Sequence, residues 1–161
     1  MPGAMSPGVW HRQDRMRIVI SEFMSLDGVV QAPGGPDEDT DGGFRHGGWS
    51  APYFDVDVMG AAIGELSAGT DLLLYGRRTF VTMAGAWPGR AGDPFADWMN
   101  STPKCVVSDT LVDELLLMIE PIVLGGGKGI FPADGEARPF ELVSAKTAST
   151  GVQVCHYRRA R

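Results

Sequence analysis

Residues 71–80 read DLLLYGRRTF, an apolar run followed by a glycine and two arginines. The apolar run at residues 72–75 predicts a short strand. A continuous apolar run is typical of a parallel strand that is covered on both faces. Gly76 then breaks the strand, and the pattern predicts a short helix at about residues 79–84 with residues 77–79 at its first turn.

The two arginines after this strand, Arg77 and Arg78, point to an anion site. The start of a helix presents unpaired N–H groups and the positive end of the helix dipole, so it binds anions and disfavours cations. Arginines near the end of a parallel strand are also how nucleotide-binding folds accept a 2′-phosphate and select NADP over NAD. The spacing supports equally well a solvated pair of arginines after an ordinary strand.

The composition bounds the class of protein. A chain of 161 residues suits one domain with a core, and 43% hydrophobic and 21% charged residues are typical of a soluble globular protein. The net charge of −6 and the pI near 4.9 argue against a general nucleic-acid binder, which needs a basic face. A small anionic ligand held by a local basic cluster remains compatible with this charge.

The start of the chain and its cysteines indicate a cytoplasmic protein. Residues 1–15 lack the apolar core of a secretory signal and read as a flexible N-terminal tail, which leaves residues 16–161 as the domain. The sequence has no apolar run long enough to cross a bilayer. Cys105 and Cys155 lie in apolar, strand-like runs, so we expect buried thiols in a reducing compartment.

Hydrophobic periodicity and turn signals predict the remaining elements. They are a first strand at 16–24, a helix at 52–68 that ends at Gly69, a strand at 104–107, and a terminal hairpin of strands at 140–147 and 152–159. The apolar segment 111–124 is ambiguous: its beginning is compatible with a helix, whereas residues 119–124 favour a strand with Pro121 at a bulge or edge.

Two loops near the predicted strand ends are candidates for ligand contacts. Asp27, beside Gly28, is either a turn residue or a carboxylate that points into a pocket at the end of the sheet. Residues 32–50 form a long loop rich in Gly, Pro and Asp, whose acidic part predicts a solvated surface. Its aromatic residues, among them Trp49, either cover a ligand or fasten the loop to the core.

The glycine run at residues 125–129 is not a phosphate-binding P-loop, because Lys128 is followed by Gly129 rather than by Ser or Thr. We predict a turn that lets the backbone approach a ligand or another strand. The sequence shows no cluster at metal-ligand spacing, no nucleophile elbow and no evident acid–base pair. This pattern favours a protein that binds a phosphorylated cofactor and leaves the chemistry to it.

Several short motifs occur in an order that matches a known family. They are MRIV at 16–19, SLDGV at 25–29, GWS at 48–50, LYGRRTF at 74–80, NSTPK at 100–104, VVS at 106–108, VDEL at 112–115 and PIVLGGG at 121–127. Together they resemble the dihydrofolate reductase-like superfamily. The branch they resemble includes the reductase domain of the bifunctional riboflavin-biosynthesis deaminase–reductase.

The resemblance implies an α/β fold with a mixed, mainly parallel sheet flanked by helices and a C-terminal antiparallel hairpin. It implies an oxidoreductase, such as the phosphoribosylaminouracil reductase of riboflavin biosynthesis, with NADPH as hydride donor. The acceptor would be a small pterin-like or pyrimidine-like molecule. We expect no nucleic-acid or membrane partner and no metal, and we expect a homodimer.

The motifs carry site roles over to individual residues. For the cofactor, Gly76, Arg77, Arg78 and Thr79 match the turn that receives the adenosine 2′-phosphate, and Ser108 matches a serine on the same side of the cofactor. For the substrate, Asp27 matches the acidic residue near the nicotinamide, which implies a catalytic and substrate-binding role. Trp49 lies on the loop that would cover the substrate.

The sequence departs from the family pattern after Thr110. The family has a further strand–helix–strand unit, on the order of 30 residues, before the VDEL motif. Three explanations are open: a segment left out of the printed sequence, a deletion in the gene, or a strand supplied by a partner chain. We expect either a spatial break between about Thr110 and Val112 or an intertwined dimer. A non-catalytic, dimeric binding protein that has lost the cofactor is the alternative function.

Overall fold

The computed structural model describes residues 17–90, 92–106, 112–131 and 134–160. Within these residues the chain forms six strands and three α-helices. The strands are β1 (Val19–Ser25), β2 (Leu73–Tyr75), β3 (Lys104–Val106), β4 (Glu114–Glu120), β5 (Phe140–Thr147) and β6 (Gln153–Arg159). The α-helices are α1 (Ala61–Ala68), α2 (Arg77–Ala86) and α3 (Pro94–Ser101).

Four strands form the main sheet, in the order β1-β4-β6-β5. β1 and β4 are parallel, whereas β6 runs antiparallel to both β4 and β5. The mixed α/β fold and the C-terminal antiparallel hairpin predicted from the sequence are therefore confirmed. β4 lies inside the sheet with a neighbour along each edge, which explains why its sequence is apolar almost throughout.

The two faces of this sheet bury two separate apolar clusters. Met59, Met118 and Val152 are fully buried on one face, beneath the helical segment that contains α1. On the other face, Val112, Leu115 and Leu117 pack against apolar side chains from β1, β6 and the segments before β5. The alternation of Leu117 and Met118 between the faces follows from the two-residue period of a strand.

The predicted helix at 52–68 is shorter than expected. Its N-terminal part is a 3-10 turn (Ala51–Tyr53), followed by a π-helical turn (Val56–Gly60) that leads into α1. The Asp55 side chain accepts a 3.0 Å hydrogen bond from the Val58 N–H and so caps the helical segment. Gly69 ends α1, as the sequence predicted.

The strand predicted at residues 72–75 is β2, which pairs with β3 in a separate, parallel sheet of two strands, the second sheet. The prediction that this strand is covered on both faces was wrong, because Leu72 is 46% exposed and Leu74 is 38% exposed. Within the described residues, β2 and β3 pair only with each other, so no third strand and no full second layer shields them. Cys105 on β3 is exposed as well, which corrects the expectation of a buried thiol, whereas Cys155 is buried.

Two elements differ from the sequence expectations for physical reasons. The helix α3 was not predicted, although Asp93 accepts a hydrogen bond from the Phe95 N–H and Pro94 stands at the first helical position, the usual signals of a helix start. β4 begins at Glu114 and ends at Glu120, so neither a helix at 112–115 nor a strand at 119–124 is correct. Pro121 ends the strand because it has no N–H to donate.

The strands β3 and β4 are separated in the sequence by residues 107–113, of which 107–111 lie outside the described residues. β3 and β4 belong to different sheets, and the chain between them is too short for an ordinary crossover between adjacent parallel strands, which needs about a dozen residues. Ser108 lies outside the described residues. Of the predicted break between Thr110 and Val112, only Val112 lies within them. Along the described chain, no helix is long and apolar enough to span a membrane.

Candidate functional site

The carboxyl ends of β1 and β4 lie side by side, because the two strands are parallel and Ser25 pairs with Glu120 in the register. The segments that follow them stay together. The Leu26 N–H donates to the Ile122 carbonyl at 2.8 Å, and the Val30 N–H donates to the Lys128 carbonyl at 2.9 Å. This is the edge of an α/β sheet at which ligands bind in open sheets.

Asp27 lies at this edge with both carboxylate oxygens engaged. One oxygen accepts hydrogen bonds from the Ser25 hydroxyl at 2.7 Å and from the Leu124 N–H at 3.1 Å. The other accepts from the Gly125 N–H at 2.7 Å. These bonds, first that from Ser25, lower the pKa of Asp27 to about 2, so the group is ionised at neutral pH. Asp27 thus fastens the end of β1 to the glycine turn, and its catalytic role stays a prediction.

The glycine turn makes a close backbone approach to Val29 and Phe44, which lie outside the strands, whereas the sequence predicted an approach to a ligand or another strand. Gly127 has a φ of 146°, and a Cβ placed on it would lie 2.5 Å from Cγ1 of Val29 and 3.2 Å from the ring of Phe44. No side chain fits there without a shift of its neighbours. The approach is therefore to the segment after β1 and to the loop at residues 32–50.

Gln31, which no sequence motif marks as a site residue, organises the loop that follows. It is buried, and its side-chain N–H₂ donates to the carbonyls of Asp39 at 3.2 Å and Asp41 at 3.1 Å. Its side-chain oxygen accepts from the Lys128 N–H at 3.2 Å. A polar side chain beside the apolar Val29 and Val30 could have been noticed, because buried amides are kept only where they are hydrogen-bonded.

Trp49 is buried and fastens the same loop. It is 6% exposed, and its indole N–H donates a 2.8 Å hydrogen bond to the Gln31 carbonyl. Of the two alternatives left open by the sequence, the contacts fit a residue that fastens the loop to the core. A role in covering a substrate is untested and stays a prediction.

The start of α2 has the composition that the sequence predicted for an anion site. The helix begins at Arg77, directly after Gly76, which has no side chain with which to cap the first turn. Arg77, Arg78 and Thr79 are all exposed in that turn. Arg77 forms no ion pair with the residues that the structure describes, whereas Arg78 pairs with Asp41 and lies 4.0 Å from Asp39.

Lys128, from the glycine turn, reaches the same two carboxylates. Its ammonium group lies 2.5 Å from an Asp39 oxygen and 3.1 Å from an Asp41 oxygen. The hydrogen bond from Lys128 is the largest contribution to a lowered pKa at Asp39. Two cations from distant parts of the chain thus contact two carboxylates of the acidic loop, residues 32–50.

A second carboxyl group, Glu120, lies fully buried at the end of β4. One of its oxygens accepts a 2.6 Å hydrogen bond from the Ser50 hydroxyl, and the other has no partner among the described residues. Burial raises its pKa to about 7. Across the described ranges, no three His, Cys, Asp or Glu side chains are grouped so that they could hold a metal ion.

Comparisons with known proteins agree with this fold. No protein-family model matches the chain, and no curated protein matches it. Its structure is similar to a crystal structure from Shewanella sp. PV-4 that is named "Putative riboflavin biosynthesis protein", with a TM-score of 0.57 and 16% sequence identity. The match covers 91% of this chain and 100% of that one. At this identity the likeness shows the fold alone: a mixed α/β domain shared with that protein.

Proposed function

We propose that this protein is an NADPH-dependent reductase of the dihydrofolate reductase-like type, which transfers hydride to a small pterin-like or pyrimidine-like acceptor. One observation carries the proposal: α2 begins with Arg77 and Arg78 immediately after the parallel strand β2. Cations at a helix start are unfavourable unless an anion joins them. The fold shared with the Shewanella protein supports the proposal in general terms.

The residues at the start of α2 fit the adenosine 2′-phosphate of NADPH. Arg77 is exposed and free of ion pairs within the described residues, so its guanidinium is available for a charge-assisted, two-pronged contact with phosphate oxygens. No side chain caps the first-turn N–H groups, which supply further donors. NADPH would contribute the hydride, and these residues would contribute affinity and the choice against NADH.

At the sheet edge, Asp27 supplies a fixed negative charge. Its pKa of about 2 keeps it ionised, so it suits the orientation of a protonated amine or a ring N–H of the acceptor. Ser25 and two backbone N–H groups hold the carboxylate in place, which limits its movement during a reaction cycle. In the proposed reaction Asp27 orients the acceptor and does not itself donate a proton.

The alternative is a non-catalytic, dimeric binding protein of the same fold. The hydrogen bonds of the segment from Leu124 to Lys128 favour this alternative. Asp27 and Gln31 already accept hydrogen bonds from three backbone N–H groups of that segment. These donors are then not available to a cofactor pyrophosphate. A protein with this arrangement would bind a ligand at α2 without placing a nicotinamide at Asp27.

Cofactor titrations distinguish these functions. We expect NADPH to quench the protein fluorescence with a lower Kd than NADH. We also expect NADPH to be oxidised when a dihydropterin or an aminouracil is added as the hydride acceptor. Equal affinity for the two cofactors would contradict the proposed role of α2. Preferential NADPH binding without oxidation by any acceptor of these two classes would favour the non-catalytic alternative.

A further inference from the structure

Two cations from separate elements share one pair of carboxylates at the site. Arg78 comes from the first turn of α2, and Lys128 comes from the glycine turn. Arg78 pairs with Asp41 and approaches Asp39, while Lys128 contacts Asp39 at 2.5 Å and Asp41 at 3.1 Å. The carboxylates therefore lie where an external anion would have to lie to contact both cations.

A buried side chain holds the main chain on which these two carboxylates are carried. Gln31 donates to the main-chain carbonyls of both Asp39 and Asp41 and accepts from the Lys128 N–H. Trp49 in turn donates to the Gln31 carbonyl. Exposed ion pairs form and break with little effect on the free energy, and they do so without buried hydrogen bonds behind them. The bonds made by Gln31 and Trp49 therefore distinguish this cluster from a chance pairing of surface charges.

The base of the loop is closed independently of its acidic part. The Gly48 N–H donates to the Ala32 carbonyl at 2.8 Å, and the Ser50 N–H donates to the Pro33 carbonyl at 3.2 Å. An exchange of the side-chain contacts of Asp39 and Asp41 therefore leaves these two closing bonds intact. Loops of this kind, with close ends and their own internal packing, are compact surface units.

We propose that Asp39 and Asp41 act as an internal counter-anion, which occupies the space between Arg78 and Lys128 and must be displaced before a phosphate group of a ligand can contact both cations. The identity of the ligand rests on the proposed function, whereas the displacement rests on the contacts alone. Binding of a phosphorylated ligand is therefore coupled to the opening of the loop. The loop exchanges its four ion-pair contacts at the protein surface for charge-assisted hydrogen bonds between the cations and the ligand.

The test measures loop opening and anion binding separately, with inorganic pyrophosphate as the probe. Arg45 is exposed within the loop, so the rate of tryptic cleavage after Arg45 reports opening. We expect pyrophosphate to accelerate this cleavage in the unmodified protein. In Lys128→Ala, where one of the two cations is gone, we expect pyrophosphate to have little effect, which also controls for direct effects on trypsin.

Calorimetric titration with pyrophosphate then compares two double variants of equal net charge. Asp39→Asn/Asp41→Asn should bind roughly three- to tenfold more tightly than the unmodified protein, because no internal anion competes. The matched control is Asp37→Asn/Asp57→Asn, since neither residue forms an ion pair within the described residues. Equal affinity of the two double variants, or cleavage that does not respond to pyrophosphate, would overturn the proposal.

The outcome is separable from that of the proposed reductase function. If pyrophosphate opens the loop but NADPH does not bind, the internal counter-anion is supported and the reductase proposal fails. If NADPH binds and is oxidised, but Asp39→Asn/Asp41→Asn leaves the NADPH affinity and the cleavage rate unchanged, the reductase proposal holds and the counter-anion is refuted.

Discussion

The hydroxyl of Ser50 donates a 2.6 Å hydrogen bond to the carboxyl group of Glu120, 70 residues further along the chain, in a fully buried position. This bond joins the end of the acidic loop to the last residue of β4. Only one oxygen of the carboxyl group is satisfied within the described residues. Burial of an ionised carboxylate with one hydrogen bond is costly, so the neutral form is favoured and the pKa rises to about 7.

The first prediction is a loss of stability as the pH rises from about 4.5 to about 7. Glu120 and Glu22 both have a pKa raised to about 7 from an ordinary value of 4.5, in each case mainly by burial. Between pH 4.5 and about pH 7, the folded state holds protons on these two groups that the unfolded state has released. The free energy of unfolding therefore falls from about pH 4.5 to about pH 7 and then levels off.

Urea unfolding of Glu120→Gln over this pH range checks the prediction, because the variant cannot ionise. We expect its unfolding free energy to lose about 1–3 kcal/mol less than that of the unmodified protein between pH 5 and pH 8. Carboxylates with a lowered pKa, such as Glu114, lose their stabilising effect only as the pH falls below the range in which they ionise, so the windows are separate. A pH dependence identical to that of the unmodified protein would show that Glu120 is ionised in the folded state.

The fold was predictable where the local pattern and the tertiary environment agree. The terminal hairpin and the start of α2 follow from strand alternation and from Gly76, and both are confirmed. The burial of the strand after Asp71 was not predictable, because it depends on how many strands join it and on which layers cover it. An apolar run such as residues 72–75 carries no information about a missing neighbour.

The candidate site was predictable in its residue types but not in its contacts. The arginines of α2 and Asp27 were identified from the sequence because each follows a strand. The pairing of Arg78 with Asp41 and of Lys128 with Asp39 joins residues 37 and 89 positions apart, and local spacing does not encode such distances. Gln31, which arranges these contacts, has no recognisable motif.

The second prediction concerns the close approach of Gly127 to Val29. In Gly127→Ala, the new methyl group meets Cγ1 of Val29 in a backbone conformation that alanine rarely adopts, so we expect a destabilisation of about 1–3 kcal/mol in urea unfolding. Val29→Ala should restore part of this loss in the double variant. Gly125→Ala, at a position with φ of 78° and no atom near its Cβ, measures the backbone strain alone. A double variant with strictly additive losses would contradict the steric explanation.

The third prediction separates the two arginines of α2. Arg77 forms no ion pair within the described residues, so Arg77→Ala should weaken NADPH binding by about 1–3 kcal/mol and leave NADH binding unchanged. Arg78→Ala removes a cation and leaves Asp41 in contact with Lys128, so its effect on NADPH should be larger at low salt than at high salt. Fluorescence titrations at two ionic strengths measure both. Equal losses for NADPH and NADH would place the arginines away from the 2′-phosphate.

The fourth prediction concerns Asp27. In Asp27→Asn, the amide replaces one of the two acceptor oxygens and cannot accept from both Gly125 and Leu124. We expect a lower Tm and, in the proposed reductase, a lower kcat with little change in NADPH affinity. Ser25→Ala is the comparison variant, because it removes one hydrogen bond from the same carboxylate, together with the bond that the Ser25 hydroxyl accepts from the Val29 N–H, and leaves the charge intact. If both variants lower Tm and kcat in the same proportion, Asp27 acts only as a turn residue.

The last prediction is a homodimer that covers the outer face of the second sheet. β2 and β3 form a pair that is joined to no other strand within the described residues, and an isolated two-stranded sheet is marginally stable in water. Leu72, directly before β2, and Leu74, on β2, are exposed, and Cys105, which pairs with Leu74, is exposed on β3. Such a surface favours association with a second copy, since burial of these leucines removes apolar area from water.

Sedimentation velocity should therefore show a dimer, and Leu72→Lys/Leu74→Lys should shift it to the monomer. Val123→Lys is the control, because Val123 is also an exposed apolar residue but lies after β4, outside the second sheet. Cys105 gives an independent measurement: Cys155 is buried, so a thiol reagent should label Cys105 slowly in the dimer and quickly in the double variant. A monomeric, unmodified protein with a rapidly labelled Cys105 would show that this face is solvated and that the second sheet is stable without a partner.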